Sequence, residues 1–162
     1  MNYSPVTVAR PAYGCDVAER WNPWGALRAR PHITFGRRPL PATYGGGLVA
    51  RWADGDVVIV LDASLGRRER NVALAHELVH DERGVIVKDG MPTQWAPVVE
   101  REERAVNREV ARRLVPPEQL RPFVERRTAS DLTTTPEDVA DEFDTTWQLA
   151  ELAMLLLKGE SI

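Results

Sequence analysis

Cysteine is nearly absent from this 162-residue chain: Cys15 stands alone, which excludes an internal disulfide and suits a reducing compartment. Histidine is almost as scarce, with three residues in the whole sequence. No apolar stretch of signal-peptide length lies in the first twenty residues. The longest apolar run near the C-terminal end, Leu152 to Leu157, falls far short of the roughly 20 residues a membrane helix needs. A membrane protein is therefore not expected, and the expected location is the cytoplasm. An excess of either charge is missing too. A net charge of -3, with 28% charged and 43% hydrophobic residues, gives no reason to expect polyanion binding. The local arginine groups (Arg67, Arg68 and Arg70; Arg112 and Arg113; Arg126 and Arg127) read as solvated helix faces. Internal repeats and low-complexity tracts are absent, and the length fits one compact core.

What is present divides into strands first and helices after, which argues an α+β fold. Residues 1–31 mix proline, glycine and aromatics and read as an irregular segment with one short helix around Cys15 to Arg20. From His32, "HITF", "GLVARW" and "VVIVL" are β-branched or aromatic runs, and Asp54-Gly55 marks a turn, so residues 48–61 read as a β-hairpin. The glycine triplet 45–47 reads as a loop, without the strand-to-helix context or the later lysine of a phosphate-binding loop. Ser64 is a plausible N-cap for a helix reaching Arg83, with Gly84 as its stop. A mixed connection follows, with Val85 to Val87 as a short strand and Pro92 and Pro97 opposing helix. Further helices are expected over Val98 to Val115, ended by Pro116 and Pro117, and over Glu118 to Arg127. Two more follow, one capped by Thr135 with Pro136 at its first position, the other closed by Gly159.

The stretch "NVALAHELVHDERG", residues 71–84, concentrates the chemistry. On a helix His76 and His80 are one turn apart and project from the same face, so their imidazoles converge. His-Glu-x-x-His is the zinc-peptidase pattern: two neutral imidazoles bind Zn²⁺ while the adjacent glutamate, here Glu77, takes a proton from the attacking water. Such a site needs a third protein ligand. In the following long helix Val99, Val106, Val110 and Leu114 form an apolar stripe with Glu103 in its middle, whereas Glu102 and Glu109 point aside and Glu100 lies at the margin. A carboxylate on a buried face wants a cation, so Glu103 is the first candidate and Glu100 the runner-up, with Asn107 one turn on as a partner to orient it. His32 reads as a strand residue with a hydrogen-bonded side chain rather than a ligand.

"ALAHELVH", "ERAVN", "VARRLVPPEQL" and "TTPEDVADEFDTTWQLAELAMLLL" resemble, in order and spacing, the ImmA/IrrE family of zinc metallopeptidases over about residues 48–157. The resemblance implies a zincin-like core over residues 32–127 and a C-terminal helical pair over 128–162 packed on it. It also implies His76, His80 and Glu103 as Zn²⁺ ligands and Glu77 as general base. Three departures stand out: Val79 replaces a glycine and would narrow the cleft, Val106 replaces an alanine, and Glu109 and Arg113 replace apolar positions, leaving that helix less buried or facing a partner. The mechanism implied is thermolysin-like, with an extended substrate paired to a sheet edge beside the active-site helix and Tyr44 as a candidate oxyanion donor. The substrate implied is a protein, a transcriptional repressor or similar regulator encoded nearby, cut at a limited site. The rival expectation is a catalytically silent zincin-fold module acting on a partner by contact. The acidic helix-turn-helix spacing of "DVADEFDTTWQLAELA" does not favour direct nucleic-acid contact. A third reading has a Cys15 thiolate capping the zinc. Nothing in the pattern speaks to oligomeric state.

Overall fold

The structure is a computed structural model, and it describes residues 20–51, 55–84 and 95–159. Its elements run α1 (Pro23–Arg28), β1 (Ile33–Arg38), a short 3-10 turn (Ala42–Tyr44), β2 (Gly47–Arg51), β3 (Val57–Asp62), α2 (Arg67–Arg83), α3 (Ala96–Leu114), α4 (Pro117–Ala129), α5 (Pro136–Phe143) and α6 (Trp147–Lys158). The mixed α+β class expected from the sequence is what is found. Cys15, the expected strand 85–87 and Pro92 lie outside the described residues. So does most of the expected helix around Cys15 to Arg20, of which only Arg20 is described, and it is not helical.

The three strands form one sheet in the order β1-β3-β2. β2 and β3 are antiparallel, as a hairpin requires, with Arg51 opposite Val57. β1 adds to the far side of β3 in parallel, a pairing that periodicity alone does not reveal. Among the described residues β2 is therefore an edge strand. β3 alternates buried Val57, Ile59 and Leu61 with half-buried neighbours, the signature of a sheet covered on one face.

Helix α2 covers that face. Leu74 and Leu78 join Ile33, Val49, Val57, Ile59 and Leu61 in one cluster. Ala75 and Val79, one position further round, join a second cluster built with Val106 and Val110 of α3, Leu120 of α4, Val139 and Phe143 of α5, and Leu149 and Ala153 of α6. Full burial of side chains such as Leu74 and Leu78 contributes roughly 1.5–3 kcal/mol each. A helix with two apolar flanks is held between two cores, and its third face is left for other work.

Local signals account for the boundaries, with four corrections. Asn22 accepts hydrogen bonds from the N–H groups of Trp24 and Gly25, and Pro23 opens α1, so a short helix of the N-terminal segment lies at Pro23–Arg28, beyond the expected place around Cys15 to Arg20. Ser64 does not cap α2; Gly66 occupies that position, and Ser64 donates instead to Asp62. Pro97 does not oppose helix, because it falls in the first turn of α3, where its missing N–H has no partner to lose. Gly47 belongs to β2 rather than to the glycine loop. The C-terminal pair follows expectation, with a Thr135/Asp138 capping box, Thr146 capping α6 and Gly159 ending it at φ 76°.

The arginine groups are not simply solvated. Arg67 pairs with Asp144, and Arg68 with Asp141 and Asp144, which ties α2 to the α5 end. Among the described residues no helix is long and apolar enough to cross a membrane.

Candidate metal centre

The third face of α2 opens onto a cleft of about 730 Å³ whose walls include β2, α3 and the 3-10 turn. The helical repeat stacks Val72, His76 and His80 along that face. The two imidazole rings lie with centroids 4.6 Å apart. Glu103 reaches across from α3: its Oε2 is 3.2 Å from His76 Nε2 and its Oε1 is 3.2 Å from His80 Nε2. One ligand atom from each of the three residues lies within 4.8 Å of the others, so the group could hold a metal ion.

The electrostatics are those of a site that lacks positive charge of its own. Burial pulls the His76 imidazole down, but its hydrogen bonds to Glu103 and Glu77 outweigh that and raise its pKa to about 9. Hydrogen bonds from His76 and then His80 lower Glu103 to about 2 against the opposing effect of burial. In the metal-free protein a proton on His76 therefore supplies the charge that holds Glu103 in place.

Glu103 was expected at the middle of a buried stripe. The buried positions of α3 are Val106, Val110, Ala111 and Leu114. Val99, the first residue of that stripe, is only half-buried. Full burial along the stripe thus begins after Glu103, whose side chain is 36% exposed and lines the cleft. Glu100 points to solvent and pairs with Arg104 at 3.6 Å, and Glu102 pairs with Arg83. Asn107 lines the cleft but makes no hydrogen bond to Glu103 among the described residues; both Glu103 oxygens face histidines instead.

His32 is not in the strand. It precedes β1, half exposed, and its Nε2 is 3.8 Å from Asp81 Oδ2, beyond hydrogen-bond length. Val79 does not narrow the cleft: it is fully buried in the same cluster as Val106, so both departures meet in one packed core away from the histidines. Glu109 and Arg113 pair with each other at 2.7 Å, and Arg113 also pairs with Glu82 at 2.7 Å and covers the Trp21 ring. The partner of that polar patch is the chain itself.

Glu77 is buried, its Oε1 3.5 Å from His76 Nδ1. The residue that makes room for it went unrecognised in the sequence. A Cβ built on Gly47 would lie 2.5 Å from Glu77 Oε1 and 3.0 Å from its Cδ and Cγ. No side chain fits there without displacing the carboxylate. The only sequence signal was a glycine at the first position of a strand, where glycine marks a close approach of another group. Tyr44 lines the cleft from the turn before β2.

No protein-family model and no curated protein matches this chain. The function is therefore argued from the site itself.

Proposed function

We propose that the chain is a zinc metallopeptidase of the ImmA/IrrE kind, with a zincin-like core, that makes limited cuts in a regulatory protein. The single observation that carries this reading is the meeting of His76, His80 and Glu103 in an open cleft with Glu77 beside them. The donor set suits zinc. Tetrahedral coordination at 2.0–2.2 Å separates ligand atoms by roughly 3.4 Å. One ligand atom of each residue lies within 4.8 Å of the others, with Glu103 facing each histidine through a different oxygen, so a small closing of the group would seat the ion. Two imidazoles and a carboxylate also leave a fourth position open, as catalytic zinc sites do.

The chemistry that zinc supplies when bound in such a site is polarisation of the scissile carbonyl and acidification of water toward a pKa of ~7. The rest falls to the chain. Glu77, adjacent to His76 but outside the ligand group, accepts the proton of the attacking water and returns it to the leaving amine. Its burial against β2 keeps it in one place and out of bulk solvent. The edge strand β2 runs along the cleft, from Gly47 to Arg51, and an extended substrate would add to it by main-chain pairing. Tyr44 is the candidate donor to the developing oxyanion.

The test is co-expression with the regulator encoded beside the gene, following that regulator by mass spectrometry. Wild type is expected to cut it, while Glu77→Gln and a chelated sample leave it whole. Cleavage that persists in Glu77→Gln removes the mechanism. Relief of repression with the regulator intact, equal in wild type and Glu77→Gln, replaces the peptidase with a binding module.

A further inference from the structure

A second hollow, of about 330 Å³, opens between α2, α3 and α6. Val72, Asn107 and Thr146 line both it and the main cleft, so the two are continuous. Val72 lies four residues before His76 on α2, and Asn107 four residues after Glu103 on α3. The border between the two therefore lies one turn along both helices from the histidine and glutamate group, about 6 Å. An extended peptide advances ~3.3 Å per residue, so this is the distance of two residues.

The floor is apolar, formed by Val72, Leu149 and Leu152, and the volume lies at the lower end for ligand pockets, room for one large side chain. Two arginines of α3, Arg104 and Arg108, stand one turn apart on its wall. Arg104 pairs with Glu100 at 3.6 Å with both side chains largely in water, and such a pair is weak enough to exchange for a better carboxylate. The hollow thus sets two cations beside an apolar floor, and among the described residues no acidic side chain lines it.

We propose that this hollow is a specificity subsite of the cleft, taking a bulky apolar side chain of a peptide within two residues of the reacting bond, with an acidic neighbour in that peptide meeting Arg104 and Arg108. The inference rests on the peptidase reading above, and the experiment separates the two.

The zinc-loaded chain is incubated with a synthetic heptapeptide library and the new termini are read by mass spectrometry. Leu, Met or Phe is expected to be favoured over Ala at least tenfold at one position within two residues of the cut, with Asp or Glu favoured over Lys beside it. Leu152→Trp fills the hollow and abolishes the apolar preference; Gln148→Trp narrows it from the exposed rim without disturbing the core. Arg104→Ala weakens the acidic preference alone. A wild-type profile indifferent to apolar side chains at these positions, or one unchanged in both tryptophan variants, overturns the subsite. A parallel titration uses N-acetyl-Glu-Leu-amide and follows the methyl resonances of Val72, Leu149 and Leu152. Saturable shifts that weaken with the Lys-Leu peptide and vanish in the tryptophan variants, with neither a library member nor the co-expressed regulator cut, keep the subsite and remove the peptidase reading. Cleavage without a preference removes the subsite and keeps the peptidase; neither shifts nor cleavage removes both.

Discussion

Two carboxylates answer to the C-terminal half of α2, and they are satisfied in different ways. Asp81, buried next in sequence to His80, takes the guanidinium of Arg51 from β2, which bonds both its carboxylate and its backbone carbonyl. Glu103, less buried, takes two imidazoles. An arginine is charged at every relevant pH, so the Asp81 pair is complete as built. Two histidines carry no fixed charge: each Nε2 faces one Glu103 oxygen, and the raised pKa of His76 lets it hold a proton beside that carboxylate. The contrast separates a pair whose charge is fixed from a group that could hold a metal ion in place of a proton.

The largest expected effect would break this contrast outright. Under the proposed reading, His80→Ala and Glu103→Ala should each lower zinc affinity by more than the ~100-fold typical of losing an outer-shell partner, while Glu100→Ala keeps full zinc. Metal analysis after gel filtration checks all three, and equal zinc in wild type and His80→Ala sinks the assignment. Next, Glu77→Gln should cut turnover by about 10²-fold or more with fold and zinc intact. Gly47→Ala should do nearly the same by pushing the carboxylate aside, whereas Gly36→Ala, with open space around its Cβ, should not. Peptidase assays alongside zinc analysis of the three variants decide whether position matters as much as charge.

The Asp81 cluster predicts the opposite pattern. Arg51→Met leaves a buried carboxylate with only a distant histidine. Losing the partner of a fully buried charge costs roughly 3–5 kcal/mol, and solvent screening at Arg51, 38% exposed, brings the expected cost to about 2 kcal/mol. Denaturant unfolding should register that loss while zinc content per folded chain stays unchanged. Zinc lost together with stability would mean the two clusters are one.

Acidity sharpens the comparison further. His76 is raised from 6.5 to about 9, so its contribution to metal-free stability is full below 6.5 and lost as pH rises through about 9. Glu103 is lowered from 4.5 to about 2, so its contribution is full above 4.5 and lost as pH falls through about 2. The metal-free pair is thus fully effective between about 4.5 and 6.5. Zinc requires neutral His76 and must expel the proton, so its affinity should rise about tenfold per pH unit from 6.5 toward 9. Calorimetry in buffers of different ionisation enthalpy should find about one proton released per zinc at pH 7.5, and a pH-independent affinity would contradict the proton's location. The smallest effect lies far from both clusters: Thr135→Ala, which removes the cap of α5, should cost about 1 kcal/mol by thermal unfolding with no change in zinc.

Much of this was legible in the chain. Apolar periodicity and caps located the five helices from α2 to α6, because those signals act within one or two turns. The convergence of His76 and His80 follows from spacing alone, and the same arithmetic put Glu103 ahead of Glu100. The arithmetic went wrong in placing Glu103 deep in the stripe, because periodicity reports which way a residue points and not where a helix leaves its neighbours.

What the order of residues determined by itself was therefore local: the presence of the helices α2 to α6 and most of their stops, the hairpin between β2 and β3, and the pairing of two imidazoles on one face. Tertiary structure decided the rest, because each remaining feature depends on a contact between segments remote in sequence. The parallel docking of β1 on β3 leaves β2, among the described residues, as an edge strand along the cleft. The packing of Val79 with Val106 turns two bulky residues into core rather than obstruction. Gly47 matters only because Glu77, thirty positions later, comes to lie against it, and no pattern within either segment encodes a space defined by both.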